Sequence, residues 1–179
     1  MAPGWPPDTE FPAAVEADVL IMMGSQSDAV TVKHARNLLD ALGVTHQSYI
    51  ASAHRTPKRV EALVTAAEQN GVKAIIAAAG MSAMLPGAAS SFTYVLPVFG
   101  IAVEGRNGLD NLAAVLAMTQ MPGGVPAPIC GLGKAGAIQA ALSAAAVVGL
   151  VRPDVREKLR AHRQKESDSV PERPDYDKP

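Results

Sequence analysis

Short apolar runs alternate with segments of helical periodicity along most of this 179-residue chain, from about residue 17 to residue 150. Such alternation predicts a parallel β-sheet whose strands are connected by helices. Continuous apolar runs fit strands that are buried on both faces of the sheet. The predicted strands are Val19–Met23, Val44–Ala51, Lys73–Ala79, Leu96–Val103 and Ala127–Leu132.

The ends of the predicted helices are marked by glycine and proline. A helical pattern from Asp28 to Leu42 stops at Gly43, a natural C-terminal cap, and Pro57 suits the first turn of a helix that runs to Asn70. The remaining predicted helices are Gly87–Phe92, Leu109–Thr119, Lys134–Leu150 and a charged helix from Pro153 to about Glu166.

Composition divides the chain into three parts. We expect a flexible arm at residues 1–16, a single α/β domain at residues 17–152 and a charged tail at residues 153–179, which is partly helical or disordered. The first dozen residues include four prolines and lack the basic and apolar regions of a signal peptide. The tail could be solvated or could pack against a neighbouring subunit.

Charge and hydropathy narrow the class of partner. The formal net charge is −1 and the basic residues form no stripe, which argues against nucleic acid and favours a small molecule. The longest apolar run, Ala135–Val151, is shorter than the roughly 20 residues that cross a bilayer, so we expect a buried helix and no membrane partner. The single Cys130 can form no intramolecular disulfide, and it fits a buried hydrophobe in a cytoplasmic protein.

Candidate site residues follow three of the predicted strands, because ligands of open α/β sheets bind at the carboxyl ends of the strands. The first loop, Gly24–Asp28, places Ser25 and Ser27 at the start of a helix, where free backbone N–H groups favour an anion such as phosphate. Equally, Ser27 or Asp28 could simply cap the helix. Because a carboxylate repels phosphate, Asp28 would more sensibly hold sugar hydroxyls.

The second loop, Ser52–Pro57, sets His54 beside Arg55. Histidine exchanges a proton near neutral pH, and the fixed guanidinium fork of arginine matches phosphate oxygens. We therefore interpret His54 as an acid/base and Arg55 as a phosphate ligand. The other histidines fall within helix, strand and tail patterns and are interpreted as structural: His34, His46 and His162.

The segment Gly131–Gly136 matches the dinucleotide-binding pattern Gly-x-Gly-x-x-Gly between a strand and a helix. The match is weak, because no further strand with a closing acidic residue follows it. Close packing of small residues and a ligand-facing turn explain these glycines better, and Lys134 could reach the site. No His or Cys cluster has metal-ligand spacing, so we predict no metal site, and no nucleophile elbow of the Gly-x-Ser-x-Gly type is present.

Five short motifs occur in order along the chain: Met23–Asp28, Ser52–Pro57, Leu85–Gly87, Gln120–Pro126 and Gly133–Ala137. Together they resemble the PurE family, whose best-known members are class I 5-(carboxyamino)imidazole ribonucleotide mutases of purine biosynthesis. The resemblance runs from about Asp18 to Leu150. It implies a three-layer α/β/α fold of the flavodoxin or Rossmann type, a homo-octamer, and a pocket between subunits for a ribonucleotide 5'-phosphate, without a cofactor.

The resemblance also implies roles for individual residues. By motif match, Ser25, Asp28, Ser52 and Arg55 would hold the phosphoribosyl group, and His54 would be the acid/base. In the family mechanism, the carboxylate on the exocyclic amine leaves as carbon dioxide and is recaptured by ring carbon 4. The expected substrate-binding residues are Gly24, Ser25, Ser27, Asp28, Ser52, Ala53, Arg55, Gly80, Met81, Ser82, Met84, Leu85 and Lys134.

Two segments depart from the family pattern. The third loop usually reads Gly-Gly-Ala-Ala-His-Leu-Pro-Gly, whereas Gly80–Gly87 carries Met84 in place of the histidine, and a thioether has no proton to transfer. The segment Asn107–Asn111 replaces the usual Ser-Gly-x-Asp-Ser. The leading hypothesis is carboxyl transfer on an aminoimidazole ribonucleotide. The alternatives are a phosphoribosyltransferase for a purine-like or deazapurine base in secondary metabolism, and a noncatalytic nucleotide-binding subunit.

Overall fold

The computed structural model describes residues 15–174, so most of the predicted arm lies outside the described residues. Within that range, strands alternate with helices. The strands are β1 (Val19–Met23), β2 (His46–Ile50), β3 (Ala74–Ala79), β4 (Val98–Ala102) and β5 (Ile129–Leu132). The helices are α1 (Ala29–Leu42), α2 (Pro57–Gln69), α3 (Leu85–Ser90), α4 (Gly108–Thr119), α5 (Gly133–Val151) and α6 (Pro153–Asp168).

The strands form one parallel sheet in the order β2-β1-β3-β4-β5. In its register, Met23 pairs with Ile50 on one side and with Ala78 on the other, while Ala79 pairs with Ala102. The carboxyl ends of the first four strands therefore lie at the same edge of the sheet. Helices cover both faces, and the predicted three-layer α/β fold is confirmed.

The two faces of the sheet bury different residues, because successive side chains of a strand point in opposite directions. Val19 and Ile21 of β1 pack in the core that also contains residues of α1 and α5. Leu20 and Met22 pack in the opposite core, with residues of α2, α3 and α4. All residues of β1 and β3 are buried, which explains why their sequences are apolar without interruption.

Helix α5 runs through the first of these cores. By length and composition it could cross a membrane, but in this fold it packs against α1, α6 and the sheet. Its inward-facing alanines are fully buried, at positions Ala137, Ala140, Ala141, Ala144 and Ala145. The helix is therefore a core element of the domain, as the sequence predicted.

Helix α6 packs on α5 and α1. Val155 is fully buried, and Leu159 packs against the same core. Arg152, just before the helix, places Nη1 2.6 Å from Asp18 Oδ2 and Nη2 2.6 Å from Asp154 Oδ2. The charged segment after residue 152 thus contributes both an apolar anchor and an ion-pair network to the domain.

Most element boundaries differ from the predicted ones by one or two residues, and the differences in β2 and α3 have a physical reason. Strand β2 is shorter than the predicted Val44–Ala51, because this edge strand pairs only with β1 over His46–Ile50. Helix α3 begins at Leu85 and not at Gly87, because Pro86 fits the first turn of a helix. The loop after β3 is correspondingly shorter than predicted.

Candidate active site

A cavity of about 710 Å³ opens at the carboxyl edge of the sheet, between the loops that follow β1, β2, β3 and β4. This volume suits a small metabolite. Among the residues that line it are Gly24, Ser25, Ser27, Asp28, Ser52, Ala53, His54, Arg55, Gly80, Met81, Ser82, Met84 and Leu85. The structure thus brings together every predicted site residue except Lys134. That lysine is exposed in the first turn of α5, which follows the edge strand β5, and it does not line the cavity.

In the first loop, Ser25 and Asp28 cap each other's backbone around the 3-10 turn Gln26–Asp28. The Ser25 N–H donates to Asp28 Oδ2 at 3.0 Å, and the Ser27 N–H donates to Ser25 Oγ at 3.3 Å. The Ser27 hydroxyl donates to Asp28 Oδ1 at 3.3 Å. Both carboxylate oxygens of Asp28 are therefore engaged within the loop, where Asp28 and Ser25 cap the 3-10 turn, but the Asp28 side chain makes no capping hydrogen bond to α1.

Burial changes the proton affinity of Asp28, which is only 7% exposed. Its burial raises the pKa of the carboxyl, while hydrogen bonds from Ser27, Ser25 and Gly24 and the charge of Arg55 act in the opposite direction. The Asp28 carboxyl therefore binds its proton more tightly in the folded protein than in the unfolded chain, where aspartate titrates at about pH 4. Ionised Asp28 reduces stability above its raised pKa, and this penalty disappears as the pH falls through that pKa.

The variant Asp28→Asn removes this titration. We expect the difference in free energy of unfolding, wild type minus variant, to fall as the pH rises from about 4 through the raised pKa of Asp28 and to stay constant above it. Urea unfolding of both proteins over a series of pH values measures the difference. A difference that is independent of pH, or that grows with rising pH, contradicts the assignment.

Arg55 connects the second loop to the first. Its Nη2 donates to the carbonyl oxygen of Gly24 at 2.7 Å, and its Nε lies 3.4 Å from Ser52 Oγ. The Ser52 hydroxyl also accepts the backbone N–H of Arg55 at 3.3 Å. The side chain is exposed and lines the cavity, so its guanidinium combines a fixed position with free donors that suit a phosphate.

His54 also lines the cavity and is exposed. Within residues 15–174 its imidazole makes no hydrogen bond or ion pair, so both ring nitrogens are available to a ligand. The histidines interpreted as structural lie elsewhere. His46 Nε2 is 3.0 Å from Asp40 Oδ1, and neither His34 nor His162 lines the cavity.

The third loop has a strained backbone. Met81 and Ala83 are the non-glycine residues with positive φ in the described range, at 54° and 37°. Such a conformation costs roughly 1–2 kcal/mol for a residue with a side chain, and strain of this kind collects at functional sites. Met81 is 60% exposed and Met84 is 49% exposed, and both line the cavity. Two thioethers, which can contact an aromatic ring but cannot transfer protons, thus face the ligand space.

Sequence reasoning missed the loop that follows β4, which supplies Glu104, Gly105 and Arg106 to the cavity, together with Asp110 from the first turn of α4. Arg106 Nε lies 3.4 Å from Asp110 Oδ2, and Asn107 caps α4 by accepting the Asp110 N–H at 3.0 Å. The sequence does indicate this loop as part of the site, because the carboxyl end of the fourth predicted strand must lie at the same edge of the sheet as those of the other three.

The glycine pattern at the start of α5 serves packing. A Cβ at Gly136 would lie 2.3 Å from the carbonyl oxygen of Gly131, so only glycine fits there. The residues of this pattern do not line the cavity, which agrees with the helix-packing interpretation and not with a ligand-facing turn. Within residues 15–174, no three His, Cys, Asp or Glu side chains are grouped so that they could hold a metal ion.

Comparison with known proteins gives a consistent result. The family model described as AIR carboxylase matches residues 18–169. The N5-carboxyaminoimidazole ribonucleotide mutases of Brucella melitensis and Vibrio cholerae are 44% and 42% identical to this chain, over 89% and 86% of its length and 98% and 94% of theirs. The crystal structure of Treponema denticola PurE matches with a TM-score of 0.72 and 24% identity, over 84% of this chain and 91% of that one, which supports the fold.

These matches cover the site and its scaffold together. The family model spans all five strands and extends through α6, beyond the segment in which the sequence motifs were found. From the first strand to the end of the last helix, the chain belongs to the AIR carboxylase family, also called PurE.

Proposed function

We propose that this protein is a PurE-type mutase that moves a carboxylate from the exocyclic nitrogen of N5-carboxyaminoimidazole ribonucleotide to ring carbon 4, in purine biosynthesis. The nitrogen–carboxylate bond breaks and the nitrogen takes a proton. The released carbon dioxide then bonds to carbon 4, which gives up its proton. The reaction transfers one proton each way and needs no oxidant or cofactor, and relatives that carry this activity in their names cover most of the chain.

The observation that carries the proposal is the position of His54. Its imidazole, which has no partner among residues 15–174, lines the same cavity as the guanidinium of Arg55, which is fixed to the first loop through Gly24. We assign His54 the role of donating the proton to nitrogen and removing the proton from carbon 4, since a single imidazole can do both in turn. Proton transfer needs no second acid/base in this scheme, and Met84 in the third loop is compatible with it.

The phosphate of the ribonucleotide would bind between the first and second loops. Arg55 supplies charge and directional donors, while the hydroxyls of Ser25, Ser27 and Ser52 lie on the same wall of the cavity. Ser25 Oγ and Ser27 Oγ are 3.0 Å apart, close enough to bind a common oxygen atom. With both oxygens of Asp28 engaged inside its loop, we assign Asp28 the shaping of that loop, with the ribose hydroxyls as its further ligands.

Carbon dioxide is nonpolar and is retained best where water is excluded. The floor of the cavity supplies such a surface at the ends of β3 and β4, where the lining residues Ala79, Ala83, Leu85 and Val103 are each less than about a tenth exposed. We therefore place the migrating carboxyl group above this floor, at the ends of β3 and β4.

Assembly into a homo-octamer is part of the proposal. Leu109, Leu112 and Leu116 of α4 are 74%, 54% and 43% exposed and share one side of the helix, at helical spacing. An apolar stripe of this kind is suited to contact between copies of the chain. Light scattering after gel filtration measures the mass of the particle, which is expected to be about eight times 18.5 kDa.

The test of the reaction is direct incubation with N5-carboxyaminoimidazole ribonucleotide. The 4-carboxy product should form well above the spontaneous rate, as measured by chromatography at short times. No acceleration over the spontaneous reaction would leave the noncatalytic alternative. The phosphoribosyltransferase alternative gains no support from the relatives, which are named as mutases.

A further inference from the structure

Glu104 is the second residue after β4 and is among the residues that line the cavity. The position of the Glu104 carboxylate depends on the residue at the start of α5. A Cβ at Gly133 would lie 2.7 Å from Glu104 Cδ and 2.8 Å from Oε1, so the carboxylate occupies space that a side chain at position 133 would fill. The absence of a side chain at Gly133 therefore allows the carboxylate to lie where it does.

The carboxylate of Glu104 is unused within the described part of the chain. It makes no hydrogen bond or ion pair with residues 15–174. The other two carboxylates of the cavity are engaged, because Asp28 accepts from Ser25 and Ser27, and Asp110 pairs with Arg106. Among the described carboxylates that line the cavity, Glu104 is thus the one with no hydrogen bond or ion pair inside the protein, and its full acceptor capacity is open to a ligand.

Strand order fixes which end of a ligand would meet Glu104. Strand β4 lies three positions from β2 in the sheet, and neighbouring strands are about 4.8 Å apart, so the loops that carry Glu104 and Arg55 begin about 14 Å apart. A phosphate bound by Arg55 would be repelled by a second carboxylate nearby. The favourable orientation therefore places the phosphate at Arg55 and a hydrogen-bond donor at Glu104.

We propose that Glu104 is a specificity-determining residue that accepts a hydrogen bond from an amine on the ring of the ligand. The inference rests on the proposed function for the kind of ring, an aminoimidazole, whose amine is exposed once the nitrogen–carboxylate bond has broken. A carboxylate at this position also disfavours rings that present only acceptors or negative charge there. The cavity thereby selects amino-substituted rings over otherwise identical rings.

Calorimetric titration tests this with three probes: 5-aminoimidazole-4-carboxamide ribonucleotide, the same ribonucleotide without the ring amine, and ribose 5-phosphate. Wild-type protein should bind the amino probe roughly tenfold or more tightly than the deamino probe, as expected for a hydrogen bond to a charged group. Glu104→Gln keeps the size of the side chain and should abolish most of that preference. Its affinity for ribose 5-phosphate should match that of wild type. Glu61→Gln, an exposed change on α2 outside the cavity, is the matched control and should keep the preference.

The proposal is overturned if wild-type protein does not prefer the amino probe, or if the preference survives in Glu104→Gln. It is overturned equally if Glu104→Gln weakens ribose 5-phosphate as much as the amino probe, because the carboxylate then only supports the cavity. Binding is measured without turnover. Failure of the proposed mutase reaction would appear in the isomerisation assay and not in these titrations, so the two failures are distinguishable.

Discussion

His54→Asn should lower the rate of isomerisation by about a thousandfold, within the 10²–10⁴ range that general acid–base catalysis usually supplies. Asparagine retains a polar side chain of similar reach but cannot exchange a proton near neutral pH. The imidazole makes no hydrogen bond or ion pair within the described chain, so its removal should leave the fold intact. The measurement is kcat with N5-carboxyaminoimidazole ribonucleotide, alongside the affinity for ribose 5-phosphate, which should change by less than about twofold.

A matched control for this variant is His34→Asn, which changes a histidine of α1 that does not line the cavity. It should retain wild-type kcat. If His54→Asn keeps more than about a tenth of the wild-type rate, another group transfers the proton and the assignment is wrong. A pure nucleotide-binding protein would show no isomerisation in either variant or in wild type, with ligand affinity unchanged.

Arg55→Ala should weaken the binding of ribose 5-phosphate by about 10- to 100-fold, since hydrogen bonds to charged groups contribute roughly 1.5–3 kcal/mol. Two effects act together. The variant loses the charged donors that face the cavity, and it also loses the 2.7 Å link to the Gly24 carbonyl that holds the first and second loops together. Arg55→Lys should recover part of the affinity, because it restores the charge but not the planar fork.

The control for Arg55 is Arg36→Ala, which removes an exposed arginine from α1 away from the cavity. It should bind ribose 5-phosphate like wild type. The Arg55 effect should also shrink as salt is raised, because the site is exposed and its charge is screened. Equal affinities of Arg55→Ala and wild type at low salt would place the phosphate elsewhere.

Much of the fold was predictable because local signals agreed with one another. Strand β1 matches its predicted bounds because its apolar run is buried on both faces and is closed by Gly24. Helix α1 ends at Leu42, since Gly43 adopts the left-handed conformation, with φ of 72°. The start of α3 was predicted too late in the chain, because Pro86 is as compatible with a loop as with the first turn of a helix.

The candidate site was predicted in part. Strand ends indicated the first three loops, because a parallel sheet brings them to the same edge whatever their separation in the chain. The contact between Arg55 and Gly24 spans 31 residues and depends on side-chain packing, which no local pattern specifies. The sequence also gives no indication of the left-handed backbone at Met81, because residues with a bulky side chain rarely adopt that conformation. Glu104 was not predicted as a site residue, because the segment after the fourth strand was interpreted only as a departure from the family pattern.

The strand order divides the loops of the cavity into two neighbouring pairs that can evolve separately. Two neighbouring strands, β1 and β2, carry the loops with Ser25 and Arg55, whereas β3 and β4 carry those with Met81 and Glu104. Both pairs of loops extend from the same sheet, in which β1 pairs directly with β3, so one pair can change while the sheet holds the other in place. Under the proposed function, the loops after β1 and β2 can keep the residues assigned to the sugar phosphate while the loops after β3 and β4 change to accept a different ring.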